Sequence, residues 1–448
     1  MTNNIGQLWC PVTIESSPEV KPKNKGKLLY KIGLISDIHF DVEDSKNSEY
    51  KTDLQNALEY FRKENVECIC SCGDFTQYND KDYEAFREYY NAHAWAPSGG
   101  KLPLFTPMGN HDYLRIYHQR TSTPTGYAST EMLWQNNVSV FHEPESTIHF
   151  FEYGAKWNDP KKTGKRTIKS KLNYWFEKND CIFVFMSIDY GNSTGTPWDD
   201  VCRGFNKLDY NDEYVKQMTS YVSNTGYNRS KETNFDYQFY NPEVLMWLKD
   251  IIENNKDKRI FVFSHHFLPH KAGDSDGIYS HLRVWPYTAS NSIKNKFYAG
   301  SNTLCGLTFW FIDKLNNEYK NVVWFSGHSH RLWNDNTSIC NHNYAIKTPT
   351  GNEVTPLVDD LNSLNNTPYD YRLYTRQSNQ PLSECGFCIG LPSLSKPTDN
   401  NGSSMYQASQ GGILEIYENG TTIKEINFKD NNSATYVNKV IRDVDLDI

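Results

Sequence analysis

Short apolar runs recur five times along the chain, and each is followed by polar residues. The runs cover residues 31–36, 66–72, 102–108, 259–264 and 322–326. Apolar residues packed so closely predict strands that are buried on both faces, as in a sheet covered by helices. We expect the polar residues after each run to lie at the carboxyl ends of the strands, where open α/β sheets bind their ligands.

The residues that follow the runs are carboxylates, amides and imidazoles, which are side chains that hold divalent metal ions. Asp37 and His39 follow the first run, and alternation with a period of two would place both on one side of the strand. An Asp-x-His pair alone is weak evidence for a metal site, but the pattern recurs. The other runs are followed by Gly73-Asp74, Gly109-Asn110-His111-Asp112, His265-His266 and Gly327-His328-Ser329-His330.

Helical periodicity lies between the predicted strands. In residues 53–61, four apolar side chains share one face of a helix. A second helix is predicted for residues 82–93, and a third opens at Asn241-Pro242, because proline suits the first turn of a helix. Strands that alternate with helices in this way predict parallel βαβ units.

Composition divides the chain into three parts. Residues 1–27 carry several prolines and a basic stretch, which predict an extended arm or linker. Residues 28–335 contain all five runs and form the predicted main domain. Its insertions near 190–240 and 269–304 are too long for ordinary connections and would wall a pocket. Residues 336–448 hold further strand-like segments, which we expect to complete the second of two sheets and to leave a small appended region.

Charge and composition narrow the class of function. The 448-residue chain has a formal net charge of −8. This charge argues against general binding of nucleic acid, because proteins that bind nucleic acid usually carry basic faces. Cys68, Cys70 and Cys72 alternate along one run and are expected to be buried free thiols. The spacing of Cys385 and Cys388 suits zinc, but no second pair accompanies them. Neither a signal peptide nor an apolar run long enough to span a membrane is visible, so we expect a cytoplasmic protein.

The order of the motifs resembles that of the calcineurin-like metallophosphoesterases. Asp-x-His, Gly-Asp, Gly-Asn-His-Asp, His and Gly-His-x-His follow one another between Lys31 and His330. The Gly-Asp-Phe-Thr sequence at residues 73–76 is similar to that of the bacterial or phage-type phosphodiesterase branch. The resemblance implies an α/β fold, a four-layer αββα sandwich of two mixed β-sheets flanked by helices, with a dinuclear metal site at the strand ends.

The resemblance also implies how the motif residues divide between two divalent ions, for which manganese, iron and zinc are the candidates. The implied ligands are Asp37, His39 and His330 for one ion, Asn110, His265 and His328 for the other, and Asp74 as the bridge between them. A carboxylate is needed at the bridge, because two dications about 3.5–4 Å apart repel each other unless an anion lies between them.

A metal-dependent phosphoesterase is the function that this resemblance implies, with residues 28–335 as its catalytic domain. Such a hydrolase would cleave a phosphodiester or phosphomonoester with a metal-bridged hydroxide as the nucleophile. His111 would stabilise the phosphate or protonate the leaving oxygen, Asp112 would orient His111, and His266 would lie in the pocket wall. The family often has an aspartate where this chain has Gln77. That aspartate is not usually a ligand, so we expect metal binding to be kept.

Other functions stay open on the sequence. The protein could have this fold without catalytic activity. It could also be a structural or adaptor protein, for example in a virion or a complex. A protein partner would then bind the N-terminal arm or the C-terminal region. A nuclease is a further alternative, which the acidic charge disfavours. We expect a small phosphate ester as the substrate and neither a membrane nor a nucleic acid as a partner, whereas the motifs do not identify the substrate.

Overall fold

The computed structural model describes the residues that carry most of the predicted strands. They are 24–77, 80–109, 111–112, 138–141, 147–156, 165–187, 189–191, 237–239, 242–265, 319, 321–328, 330, 346–347, 353–354, 387–395, 408–429, 435–446 and 448. Asn110 and His266 lie outside these residues, as do the chain up to residue 23 and most of both predicted insertions.

Strands and helices alternate through the first half of the described chain, and strands dominate its end. The helices are α1 (Asn47–Lys63), α2 (Asp80–His93) and α3 (Pro242–Asn254), with a 3₁₀ turn at Ser139–Phe141. The strands are β1 (Leu28–Ile35), β2 (Cys68–Ser71), β3 (Leu104–Phe105), β4 (His149–Lys156), β5 (Lys165–Lys178), β6 (Cys181–Met186), β7 (Asp189–Gly191), β8 (Tyr237–Phe239), β9 (Arg259–Ser264), β10 (Val322–Ser326), β11 (Ile346–Lys347), β12 (Glu353–Val354), β13 (Phe387–Gly390), β14 (Gln410–Tyr417), β15 (Gly420–Lys429) and β16 (Tyr436–Leu446).

Two six-stranded mixed sheets form the body of the molecule. The first has the order β16-β15-β14-β1-β2-β3, and the second has the order β13-β10-β9-β6-β5-β4. In the first sheet β1, β2 and β3 run parallel, and in the second β6, β9, β10 and β13 do. The remaining strands of both sheets pair antiparallel. The predicted α/β class with two mixed sheets is therefore confirmed.

Aromatic side chains fill the space between the sheets. In the second sheet Tyr174, Phe185, Phe263 and Phe325 stack across four neighbouring strands, with ring centroids 4.8, 5.1 and 4.8 Å apart. Phe105 of the first sheet contacts the same layer, and the Tyr174 hydroxyl donates a hydrogen bond of 3.0 Å to the Thr106 carbonyl oxygen. These rings bury a large apolar area, and the polar end of Tyr174 finds a partner.

The helices cover the sheets with the apolar faces that the sequence predicts. In α1 the predicted inward side chains are buried, and Phe61 lies edge-on against Phe428 of β15. In α2 Tyr83, Phe86 and Tyr90 are buried. In α3 Trp247 packs edge-on against Phe151 of β4. Among the described helices, none is long and apolar enough to cross a membrane.

Arg259 joins the two sheets at the end opposite the motif loops. It is buried at the start of β9, and its guanidinium forms a two-pronged ion pair with Asp180. It also donates hydrogen bonds of 2.8 Å to the carbonyl oxygens of Tyr417 and Gly420, at the turn between β14 and β15. Because the guanidinium is planar and has several donors, one side chain can form hydrogen bonds with groups next to both sheets.

The C-terminal strands do not all join the second sheet, which differs from the expectation. Of the C-terminal strands that the structure describes, β13 pairs there, beside β10, whereas β14, β15 and β16 extend the first sheet from β1. β14 pairs antiparallel with β1 and forms an antiparallel hairpin with β15, so the last part of the chain contributes strands to both sheets.

Candidate metal centre

Five of the implied ligands lie on loops with a left-handed backbone. Asp37, His39, Asp74, His328 and His330 have φ angles between 51° and 68°. Residues other than glycine rarely adopt this conformation, and such strain is concentrated at functional sites, where the surrounding structure maintains it. β1 has already ended before Asp37, so the strand alternation that we expected to align Asp37 with His39 is not present.

Hydrogen bonds between neighbouring loops bring the first two motifs together instead. The backbone N–H of Asp37 donates to the carbonyl oxygen of Gly73, and that of His39 donates to the carbonyl oxygen of Asp74, both at 3.0 Å. The loop after β1 therefore lies along the loop after β2. As a result, the side chains of Asp37, His39 and Asp74 converge on one point beyond the sheet edge.

Asp37, His39, Asp74 and His330 form a first group of metal-binding side chains, with donor atoms that all lie within 4.8 Å of one another. The Nε2 atom of His330 lies 3.0 Å from Asp37 Oδ1 and 2.9 Å from His39 Nε2. His39 Nε2 lies 3.9 Å from both Asp37 Oδ1 and Asp74 Oδ2. Asp37, His39 and Asp74 are buried, so bulk solvent screens the interactions among them only weakly.

A second group consists of Asp74, His265 and His328. His265 Nε2 lies 3.1 Å from Asp74 Oδ2 and 3.2 Å from His328 Nδ1. The other ring nitrogen of His265, Nδ1, donates a hydrogen bond of 2.9 Å to the carbonyl oxygen of Cys72. That bond orients the ring so that Nε2 faces Asp74, as partners outside a metal site commonly do for its histidines.

Asp74 belongs to both groups, and its two carboxylate oxygens differ. Oδ1 accepts a hydrogen bond of 2.7 Å from the backbone N–H of His111. Oδ2 is buried and accepts no hydrogen bond from the described residues, although it faces His265 and His39. A buried carboxylate oxygen without a hydrogen bond is costly, and an oxygen in that position suits a cation.

The electrostatics of the site favour cations. Burial opposes ionisation of Asp74, but the neighbouring His265 and His111 outweigh it and hold the pKa of this carboxyl below its usual range. Burial likewise opposes a charged His265 ring, yet the adjacent Asp74 carboxylate raises the pKa of His265 to about 9. The carboxylates that hold a proton on His265 would also attract a metal ion, which would compete with that proton.

The two groups fit divalent metal ions. Donor atoms around one ion, each at about 2.0–2.2 Å, lie about 3–4 Å apart, which is close to the separations in both groups. Carboxylate oxygens and imidazole nitrogens suit manganese, iron or zinc, and no cysteine belongs to either group among the described residues. The motif resemblance implies the same division of these side chains between two ions, and their role as ligands stays a prediction. Asn110, the remaining implied ligand, lies outside the described residues.

His111 belongs to neither group, yet its ring lies beside the first. It is edge-on to the ring of His39, with centroids 4.7 Å apart. Its Nδ1 contacts the side-chain oxygen of Gln77. An amide oxygen can only accept a hydrogen bond, so Nδ1 carries the proton and Nε2 faces away from Gln77. Gln77 thus makes the contact with His111 that we expected from Asp112.

Asp112 instead binds the backbone of the loop that carries Asp74. One oxygen accepts hydrogen bonds from the N–H groups of Phe75 and Thr76, at 3.0 and 3.1 Å. The other accepts from the N–H groups of Asp74 and Gly109, at 2.7 and 2.8 Å. Burial and the negative charge of Asp74 raise the pKa of Asp112 to about 7. The position of Asp112 next to His111 in the sequence gave no indication of these contacts, because three of the four donors lie on the loop that follows β2.

Glycine in the motifs reflects the close packing of the loops. A Cβ atom at Gly109 would lie 2.6 Å from the backbone nitrogen of Asp74, and one at Gly327 would lie 2.5 Å from Asp37 Oδ2. Neither position has room for a side chain unless the ligand loops move. Gly109 and Gly327 therefore let their loops approach Asp74 and Asp37 closely.

Comparison with known protein families agrees with the motifs. Residues 30–187 match a family model described as calcineurin-like phosphoesterase. The resemblance to this family is confirmed. The matched region includes Asp37, His39 and Asp74, and the structure brings histidines from beyond its end to the same site. Assignment to the bacterial or phage-type branch stays a prediction. The family match and the two groups together support a metal-dependent phosphoesterase, and hence a hydrolase.

A comparison with solved structures gave neighbours that are remote in sequence. A dimetal phosphatase from Danio rerio is 12% identical, with a TM-score of 0.40, over 94% of this chain and 99% of that chain. GAP50, the anchor in the inner membrane complex of Plasmodium, is 13% identical, with a TM-score of 0.35, over 94% and 90%. PhoD is 10% identical, with a TM-score of 0.45, over 94% and 70%. A comparison with curated proteins gave no match.

Proposed function

We propose that the protein hydrolyses a phosphodiester or phosphomonoester with two divalent ions held by the two groups. The observation that carries this proposal is that Asp74 belongs to both groups. Its Oδ2 atom, which accepts no hydrogen bond from the described residues, lies between His39 of the first group and His265 of the second. A carboxylate shared in this way is what two neighbouring dications require.

The chain would contribute binding and orientation. When bound, the ions would act as Lewis acids on the phosphate and acidify the water that attacks phosphorus. Asp37, His39 and His330 would hold one ion, and His265 and His328 the other, together with Asn110. Asp74 would screen the charges of the two ions from each other.

His111 is the proposed acid or phosphate-stabilising group. Its ring lies beside His39 but belongs to neither metal-binding group, so its Nε2 can face a substrate that is bound at the ions. With Nδ1 held by Gln77, a proton on Nε2 can be donated to the leaving oxygen or hydrogen bonded to the phosphate. Gln77 would be a positioning residue, because it acts through the ring.

Metal-depleted protein supplied with Mn²⁺ tests this proposal. We expect it to hydrolyse bis-p-nitrophenyl phosphate or p-nitrophenyl phosphate only after the ion is added. His39→Ala should abolish this activity, whereas the control His93→Ala, on α2 and outside both groups, should keep it. Absence of metal-dependent hydrolysis of either ester, or equal activity of the two variants, would contradict the proposal.

Hydrolysis assays on the same metal-depleted protein also distinguish the adaptor and nuclease alternatives. An adaptor without chemistry would show no metal-dependent hydrolysis. A nuclease would cleave single- or double-stranded DNA or RNA in preference to the small esters, with a rate that falls steeply as salt rises. The net charge of −8 is the observation that favours a small ester over a polyanion.

A further inference from the structure

The segment after β13 holds the loop that carries Asp37. Residues 391–395 are buried, and they leave the second sheet to cross to the first. The hydroxyl of Ser393 donates a hydrogen bond of 2.6 Å to the carbonyl oxygen of Asp37. The backbone N–H of Leu394 donates one of 2.9 Å to the carbonyl oxygen of Ser36. Two successive residues after β13 of the second sheet therefore fix two successive carbonyl groups after β1 of the first sheet.

The carboxylate of Asp37 is fixed from other directions. The Ser36 hydroxyl donates to its Oδ2 atom, and the backbone N–H of His328 donates to both oxygens, at 3.0 and 3.1 Å. Asp37 has a φ of 51°, which is disfavoured for this residue unless contacts hold it. The contacts from Ser36 and His328 act on the side chain of Asp37. Those from residues 393 and 394 act on the main chain of Ser36 and Asp37, and they come from the C-terminal part of the chain.

We propose that Ser393 is a positioning residue for metal binding, which acts by holding Asp37 in its left-handed conformation. The proposal rests on the proposed function, since it assumes that Asp37 is a ligand. Ser393 lies more than 350 positions from Asp37 and outside the region that matches the family model. Groups that hold a ligand in place commonly change metal affinity about 10–100-fold when they are removed.

Ser395 supplies a matched control in the same segment. It is buried, and its hydroxyl has no hydrogen-bond partner among the described residues. Ser393→Ala and Ser395→Ala therefore remove the same atom from two neighbouring buried sites, and only the first removes a contact with Asp37. Ser393→Thr keeps the hydroxyl and serves as the conservative variant.

Titration of the metal-depleted full chain with Mn²⁺ in a calorimeter, together with the absorption spectrum of bound Co²⁺, gives the test. We expect Ser393→Ala to weaken one Mn²⁺ site about 10–100-fold and to change the Co²⁺ spectrum. Ser395→Ala and Ser393→Thr should keep both properties. A native affinity and spectrum in Ser393→Ala, or an equal loss in Ser395→Ala, would overturn the proposal and leave the proposed function standing. If the wild-type chain binds neither ion, both are overturned.

Hydrogen exchange in the wild-type chain keeps the test decisive if Ser393→Ala does not fold. Coupling between two sites is reciprocal, so a segment that favours metal binding must itself be stabilised by the metal. We expect exchange of the Leu394 amide, which donates to Ser36, to slow about 10–100-fold when Mn²⁺ saturates the protein. An unchanged exchange rate at saturation would overturn the proposal.

Discussion

The backbone N–H of His111 donates a hydrogen bond to Oδ1 of Asp74. One contact thus links the proposed shared ligand to the proposed acid, and it leaves the other oxygen of Asp74 facing His39 and His265. The direction of the His111 main chain is set by Asp74, while its ring is held by Gln77. Metal binding and proton transfer are therefore assigned to different side chains of neighbouring loops, and they should respond separately to substitution.

Replacement of His111 by alanine should affect turnover rather than metal binding. We expect His111→Ala to keep its metal content, since the ring belongs to neither group, and to lose about 10²–10⁴-fold in kcat, the usual contribution of a general acid. The loss should be smaller for nitrophenyl esters, whose leaving group needs no proton. Steady-state kinetics with phenyl and p-nitrophenyl esters, with metal analysis of the same samples, measures this. Loss of an ion, or equal rate losses for both esters, would argue against an acid.

Gln77 should influence turnover through His111. We expect Gln77→Ala to reduce kcat about 10-fold with the same dependence on the leaving group, because the ring loses the acceptor that orients it. In a His111→Ala background the same substitution should have little further effect, since the two residues act as a unit. Gln55→Ala, on α1 beside Glu59, serves as the control and should be near native. Additive losses in the double variant would contradict this link.

Asp112 should be needed for the structure of the Asp74 loop. In Asp112→Asn one carboxylate oxygen becomes an NH₂ group, so two backbone N–H groups lose their acceptor whichever way the amide is oriented. The free energy of unfolding should fall by about 2–5 kcal/mol, and metal content should fall as well. Urea unfolding and metal analysis measure both. A stable, metal-replete Asp112→Asn with low kcat would instead restore the role beside His111 that the resemblance implies.

Arg259 should stabilise the fold without influence on the chemistry. Lysine in its place could not pair with Asp180 and also reach the carbonyl oxygens of Tyr417 and Gly420, so Arg259→Lys should lower the free energy of unfolding by about 2–4 kcal/mol. The neighbouring Lys258→Ala removes a more exposed pair with Glu177 and should cost at most about 1 kcal/mol. Chemical unfolding of both variants provides the comparison. Equal decreases in the free energy of unfolding would show that the buried contacts of Arg259 contribute no more than the exposed pair of Lys258.

Sequence patterns predicted the buried parallel strands well, and the reason is their continuous apolar composition. β9 and β10 coincide with predicted runs, and the inward faces of α1 and α2 follow the 3.6-residue period. β3 is only two residues long, because the prolines at 103 and 107 cannot donate to a ladder. The apolar pattern does not indicate β16, since its charged and exposed residues give no apolar run, as is common for edge strands.

The candidate ligands were predictable from their types and order, but the contacts that hold them were not. Left-handed loops, rather than strand alternation, bring Asp37 and His39 together. Gln77 takes the place beside His111 through a side-chain contact that no spacing rule specifies. Ser393 reaches Asp37 from the C-terminal part of the chain, and only the way both sheets are completed places them together. Asn110 and His266 stay predictions, since both lie outside the described residues.

Metal analysis of the wild type and Asp74→Asn tests the central claim, a site of two ions that share Asp74. Protein purified without chelator should contain about two ions per chain, as a shared carboxylate between two dications requires. Asparagine keeps the shape of Asp74 but removes the charge that screens the ions from each other, so Asp74→Asn should hold about one ion or fewer. The control variant Asp44→Asn replaces a half-buried carboxylate before α1 that belongs to neither group, and it should bind as many ions as the wild type. Two ions retained in Asp74→Asn, or no bound ion in the wild type, would contradict the account.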